Sequence, residues 1–154
     1  MANLRSGGNG SAAGMAQDES TQLLAKGRIG RLGVSADGES YVVPVAYAYE
    51  GRRIYARLAP GHKLDLLRKA PDSACFEVDA LAADGSCHRV NAWGPVSELH
   101  GMDAEHAFAL LLRNSMTSTQ DALPRSWIEL AGAHPGEAAV IVMRVLETDL
   151  LTIP

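Results

Sequence analysis

Alternation of bulky and small residues is strongest from Tyr41 to Tyr49. Tyr41, Val43, Val45, Tyr47 and Tyr49 share one parity, and Pro44, Ala46 and Ala48 share the other. A period of two places the two sets on opposite faces of a β-strand. A weaker alternation runs from Ile29 to Ser35, and the Asp37-Gly38 pair between the runs is a hairpin signal, because tight hairpin turns need positive φ. Glu50-Gly51 marks the next turn, and Arg53 to Leu58 reads as a third strand. Three strands joined by two short turns make an antiparallel meander. After Gly61 the pattern changes. Leu64, Leu66 and Leu67 lie among charges and Pro71 acts as a stop, which predicts a short amphipathic helix over 61–70.

Ala74 to Val78 reads as a fourth strand and Cys87 to Leu99 as a longer fifth, in which Pro95 suggests an edge or a bulge. Asp103 is a candidate N-cap for a helix running to about Asn114, with Ala104, Ala107, Phe108, Leu111 and Leu112 on its apolar face. Residues 115–126 are polar and poorly patterned, and Ala138 to Leu146 is a last, strongly apolar strand. At the other end, residues 1–16 are rich in Gly, Ser, Asn and Ala and follow neither period, so a disordered tail is expected there. Order is expected from about Asp18, with Leu23 and Leu24 in a short helix ended by Gly27. The pattern thus predicts one domain over 17–154. Its six short strands with helices between them suggest a small closed β-barrel, mainly β in an α+β sense.

A chain of 154 residues is long enough to bury one sizeable core, and its 47% apolar and 21% charged residues are those of a globular protein. The net charge of −4 and pI near 5.7 argue against nucleic acid or an anionic membrane as the main partner, since both require a basic face. A local basic pocket survives that argument. Cys75 and Cys87 form no C-x-x-C pair and cannot make a disulfide framework, so two reduced, partly buried thiols are expected. No apolar run approaches a membrane span and the N-terminus has no apolar core of a secretory signal, so a cytoplasmic protein is expected.

The candidate chemistry centres on Arg57, His62 and Lys63. Arg57 ends the third strand, and His62 and Lys63 begin the helix that follows. A helix start attracts anions because its first N–H groups are unpaired and its dipole is positive there, so the three side chains suit a phosphate. The plainer alternative is a solvated basic edge. The small residues Pro44, Ala46 and Ala48 leave room for a planar ligand against a strand, or for a packed helix. Gly27, Gly30 and Gly33 have the wrong order for a dinucleotide fingerprint. His88, His100, His106 and His134 show no metal-ligand spacing, and no G-x-S-x-G motif is present. Trp93 and Trp127 read as packing residues.

In their order and spacing, four stretches resemble the pyridoxamine 5′-phosphate oxidase-like, FMN-binding split β-barrel family. They are GRIGRLGV (27–34), YVVPVAYAYEGRRIYAR (41–57), GHKLDLLRKAP (61–71) and VNAWGPVSEL (90–99). The resemblance covers roughly residues 20–147. It implies a six-stranded antiparallel split β-barrel with short flanking helices, a homodimer, and FMN at the dimer interface. It further implies that His62 and Lys63 hold the flavin phosphate with help from Arg57. The backbone of Val43, Pro44, Val45 and Ala46 would line the isoalloxazine ring, and Arg89 would reach the flavin from the partner subunit. His62 stands where the family commonly has arginine, so the phosphate grip is expected to weaken above pH about 6.5. The Arg- and Trp-rich C-terminal extension with which true pyridoxamine phosphate oxidases hold substrate has no counterpart here, so that reaction is not expected. The resemblance implies a flavin-dependent oxidoreductase acting on a small organic molecule. Its alternatives are an F420-dependent reductase, or a flavin- or haem-binding module without catalysis; no catalytic residue is nominated.

Overall fold

A computed structural model describes residues 10–116 and 138–154, with side chains from 18–114 and 138–154. The elements run α1 (Gly10–Lys26), β1 (Ile29–Ala36), β2 (Glu39–Glu50), β3 (Arg53–Leu58), α2 (His62–Lys69), β4 (Cys75–Leu81), β5 (Cys87–Trp93), β6 (Val96–Leu99), α3 (Gly101–Met116), β7 (Ala139–Arg144) and β8 (Glu147–Ile153). Helix α1 begins within the stretch read from sequence as a tail, and residues 1–9 lie outside the described residues. Trp127 and His134 lie outside them as well. No described helix is long and apolar enough to cross a membrane.

All strand pairs are antiparallel, in the order β6-β7-β3-β2-β1-β4-β5-β8. Eight segments are present where the sequence predicts six strands, because the predicted fifth strand is split at a bend and β8 lies beyond the predicted sixth. β5 and β6 are parted by Gly94-Pro95, and β7 and β8 by Val145-Leu146. β5 pairs with β8 and β6 with β7, so two long strands turn the same corner together. Arg144 N donates to Pro95 O at 3.0 Å and Leu146 N to Trp93 O at 2.9 Å, which carries the pairing round the bend. Followed along the chain, the ring β1-β2-β3-β7/β8-β6/β5-β4 returns to β1. The fold is therefore a mainly β split barrel with three helices.

The two faces of each strand have different fates. The inward parity supplies the core: Leu32, Val45, Tyr47, Phe76, Val90 and Met143, among others, are buried together. α1 adds Leu24, and α2 adds Leu64, Leu66 and Leu67. α3 packs on the outer face, where Ala107, Leu110 and Leu111 cover Ala48 and Tyr55 in a second apolar cluster. Ala48 is small because a helix lies on it, one of the two readings open in the sequence. Both meander turns place two residues at positive φ, Asp37 with Gly38 and Gly51 with Arg52. The second turn sits one residue later than the sequence suggests. Arg52 holds the left-handed conformation because its carbonyl accepts from Val145 N at 2.9 Å and its Nη2 donates to Val145 O at 3.3 Å. That tertiary contact offsets the modest local strain.

Asn114 ties the layers together. Its Nδ2 donates to Tyr47 O at 2.6 Å and to Gly27 O at 3.3 Å, joining the end of α3 to β2 and to the link after α1. Asn114→Ala is expected to lower stability by about 1–2 kcal/mol, read from the urea midpoint, because partly buried carbonyls lose their donor. An unchanged midpoint would mean that water replaces the amide without loss.

Candidate functional site

The site begins with an unpaired strand edge. β2 pairs with β1 along Glu39–Ala46, but its pairing with β3 covers only Tyr47 to Glu50. Among the described residues, no strand lies on the other edge of β2 from Glu39 to Ala46. Tyr47 N donates to Arg28 O, towards β1, at 2.9 Å. Backbone groups alternate sides along a strand, so those of Val42, Pro44 and Ala46 point to the open edge. Pro44 has no N–H to offer, which leaves the Val42 and Ala46 amides and three carbonyls there.

Helix α2 lies next to this edge. Lys69 Nζ reaches Asp37 at 3.0 Å, and His62 Nε2 lies 2.7 Å from Glu39 Oε2, so both ends of α2 are pinned to the β1–β2 hairpin. The Asp37 carboxylate also raises the Lys69 ammonium above its ordinary value, first through the hydrogen bond and then through its charge. Arg68 grips Glu98 with two bonds, of 2.9 and 2.7 Å, and this pulls the Glu98 carboxyl below its usual range. The N-cap of α2 is Gly61, at φ 148, and no side chain caps the helix. Its first amides are therefore without a protein side-chain acceptor, beside an open strand edge. This is the chemistry of an anion-binding helix start.

The residues singled out from sequence divide into three groups. Pro44 and Ala46 stand on the outer face of β2, whereas Val43 and Val45 turn inward against the core. Only the backbone of those two valines is placed to line a ligand, as a period of two requires. His62 and Lys63 open α2 as expected, and Lys63 has no carboxylate within ion-pair distance among the described residues. Arg57 lies near the end of β3. It is only 4% exposed, lies on the outer face of β3 with its guanidinium 5.3 Å from the Phe108 ring of α3, and is drawn below its ordinary pKa by burial. Arg57 thus meets α3, and His62 meets Glu39 of β2. Continuing the β2–β3 register one step past Tyr47↔Ala56 sets Arg57 beside Ala46, at the foot of the open edge.

Arg89 sits on the outer face of β5 in a four-residue charge lattice. Arg31 Nη1 lies 2.9 Å from Glu77 and 3.3 Å from Asp79, and Arg89 lies 3.6 Å from each of those carboxylates. Arg89 Nε is buried and makes no hydrogen bond among the described residues. Val42, Trp93, Leu151 and Ile153 share that outer face and are exposed, Val42 to 69%. Trp93 is thus a surface residue here rather than the packing residue expected. The free thiols of Cys75 and Cys87 are half-buried, as the sequence suggests. Glu39 and Phe108 are the site residues that sequence reasoning missed. Glu39 follows a turn and Phe108 lies on a helix, and no local pattern links either to His62 or Arg57.

Two clefts lie elsewhere. One of about 180 Å³ runs between α2 and β6, and one of about 370 Å³ between α1 and the β4–β5 hairpin. The start of α2 is exposed at Gly61 and His62, and the free strand edge beside it belongs to a split barrel. A model of the pyridoxamine 5′-phosphate oxidase family matches residues 16–139. The chain belongs to that family. An uncharacterised protein of Rhizobium meliloti (strain 1021) is 31% identical to this family member over 102 residues, 63% of this chain and 67% of the relative. A FAD-binding protein of Mesorhizobium loti superposes with a TM-score of 0.70 at 24% identity, over 90% of this chain and 93% of that one. A heme-binding protein of Mycobacterium smegmatis gives 0.67 at 18% identity, over 97% of this chain and 60% of that one. These two structures establish the shared split-barrel fold of the family.

Proposed function

We propose that this pyridoxamine 5′-phosphate oxidase family member binds a flavin, FMN in the first instance, along the open edge of β2. It would serve redox chemistry on a small organic molecule. The observation that supports this most directly is the uncapped start of α2, with Lys63 beside it, next to eight residues of β2 without a second strand partner. A flavin mononucleotide is an anion joined to a flat heterocycle with donors and acceptors on its edge. The helix start suits the phosphate. The open backbone of Val42 and Ala46 suits the ring edge, and Pro44 and Ala46 leave its face uncrowded. The flavin supplies hydride or electron transfer when bound; the protein's residues bind, orient and shield it.

The reading includes a homodimer in the cytoplasm. Gly61 and His62 are exposed, so one chain alone would leave a ligand at the α2 start largely in water. The exposed Val42, Trp93, Leu151 and Ile153 provide an apolar outer face for a second copy. A second copy would also bring its Arg89, whose buried Nε makes no hydrogen bond among the described residues, towards the flavin. The FAD-binding and heme-binding relatives make FAD and haem natural competitors in the test, with F420 as a further titrant.

The test is an absorption spectrum of the purified protein followed by titration with FMN. A two-band oxidised-flavin spectrum, or FMN uptake at micromolar concentration, is expected. A sharp Soret band would replace the proposal by haem binding, and uptake of F420 alone would replace it by deazaflavin chemistry. Failure to take up any of them would overturn it.

A further inference from the structure

We infer that Glu39 is a positioning residue that makes phosphate binding at the start of α2 take up a proton on His62. This deepens the flavin reading and rests on it. His62 Nε2 and Glu39 Oε2 are 2.7 Å apart, and Tyr41 meets the imidazole edge-to-face with ring centroids 5.4 Å apart. A carboxylate can only accept, so Nε2 must carry the hydrogen of that bond. In a neutral imidazole the remaining nitrogen, Nδ1, is then an acceptor. A phosphate oxygen also only accepts. Neutral His62 in this position therefore has no donor left for a phosphate.

The imidazolium does. Protonation turns Nδ1 into a donor and adds a positive charge at a helix start that already favours anions. Imidazoles are mostly neutral at pH 7.5, so binding must draw a proton from solvent. Glu39 assists by placing a negative charge on the Nε2 side. The other charged or titratable groups facing this corner are Tyr41 on β2, Asp37 at the hairpin, and Lys63, Asp65 and Lys69 on α2. Asp37 and Lys69 pair with each other. Of the side-chain types in this set, imidazole is the one whose ordinary pKa lies nearest neutral pH. The balance is simple: one proton leaves the buffer and binds Nδ1 as the phosphate docks, and no covalent bond is made.

The experiment is calorimetric titration of the intact protein with FMN at pH 7.5 in two buffers of different ionisation enthalpy. The same titrations are run on Glu39→Gln and His62→Asn, and with riboflavin, which lacks the phosphate. Wild type is expected to take up a fraction of a proton, up to one, per FMN. His62→Asn should take up less, Glu39→Gln an intermediate number, and riboflavin none. FMN affinity should fall as pH rises, by up to about tenfold per unit where the linkage is fullest. Glu39→Gln retains an acceptor for Nε2 while losing the charge, so a merely structural role for Glu39 would leave the proton count unchanged. Its affinity is a poorer readout, because removing a carboxylate near a phosphate also relieves repulsion. FMN binding with equal proton uptake in all three proteins would overturn the inference and leave the flavin reading intact. No flavin binding at all would overturn both.

Discussion

Gly94→Ala is expected to destabilise the fold by about 3 kcal/mol or more, the upper end for overpacking a closed interior. A Cβ built on Gly94 would overlap the carbonyl oxygen of Arg144 and crowd Leu146 N. Both are backbone atoms, so no side chain can rotate away. The strands must separate, and the atoms they would separate at are those that carry the pairing round the corner: Arg144 N on Pro95 O and Leu146 N on Trp93 O. Opening that corner unzips β5 from β8 and β6 from β7 together. The measurement is urea unfolding followed by circular dichroism. If the variant is too unstable to purify at 25 °C, a lower temperature or a stabilising osmolyte extends the range. A midpoint equal to that of wild type would mean the corner does not bring the backbones into contact, and the shared-bend account of the barrel would be wrong.

The same corner shows what the sequence made legible and what it did not. Pro95 announced an irregularity in a long strand, because proline cannot serve a central ladder. The matching bend in the partner strand has no such marker. Val145 is buried and Leu146 exposed, and to an eye following apolar residues the strand simply ends there. β8 was missed because Glu147 and Asp149 dilute its alternation, although Thr148 and Leu150 keep the inward parity. The body of β2, Tyr41 to Tyr49, was legible because its bulky and small residues alternate without a break, while Glu39, Ser40 and Glu50 at its ends carry no such signal. The same parity placed Val43 and Val45 in the core, so their side chains were poor candidates for a ligand even before folding.

The candidate site was only half legible. Gly61, His62 and Lys63 could be found because a period change and a glycine mark a helix start locally. The environment of Arg57 could not, since Phe108 reaches it from a helix some fifty positions further along the chain. The Glu39 contact with His62 was equally invisible, being a product of how α2 folds back on the hairpin. The open edge of β2 is a statement about which strand is missing, and a sequence records only the strands that are present.

That distinction decides which substitution tests the flavin reading. Lys63→Ala is expected to weaken FMN binding about ten- to a hundredfold, the loss of one charge-assisted contact of roughly 1.5–3 kcal/mol. Lys63 is half-buried, and its ammonium has no carboxylate partner among the described residues, so removing the charge breaks no ion pair described there. Lys63→Ala should therefore unfold at nearly the wild-type urea midpoint while its FMN titration shifts. Arg57→Ala cannot separate the two effects. Its guanidinium is buried beneath Phe108, and its removal would disturb the seat of α3 as well as any phosphate contact. His100→Ala, at the exposed end of β6, provides the comparison and should leave FMN affinity unchanged. Equal losses in Lys63→Ala and His100→Ala would place the phosphate away from the start of α2. A loss confined to Lys63→Ala, with stability retained, would tie the ligand to the uncapped helix and the free edge beside it.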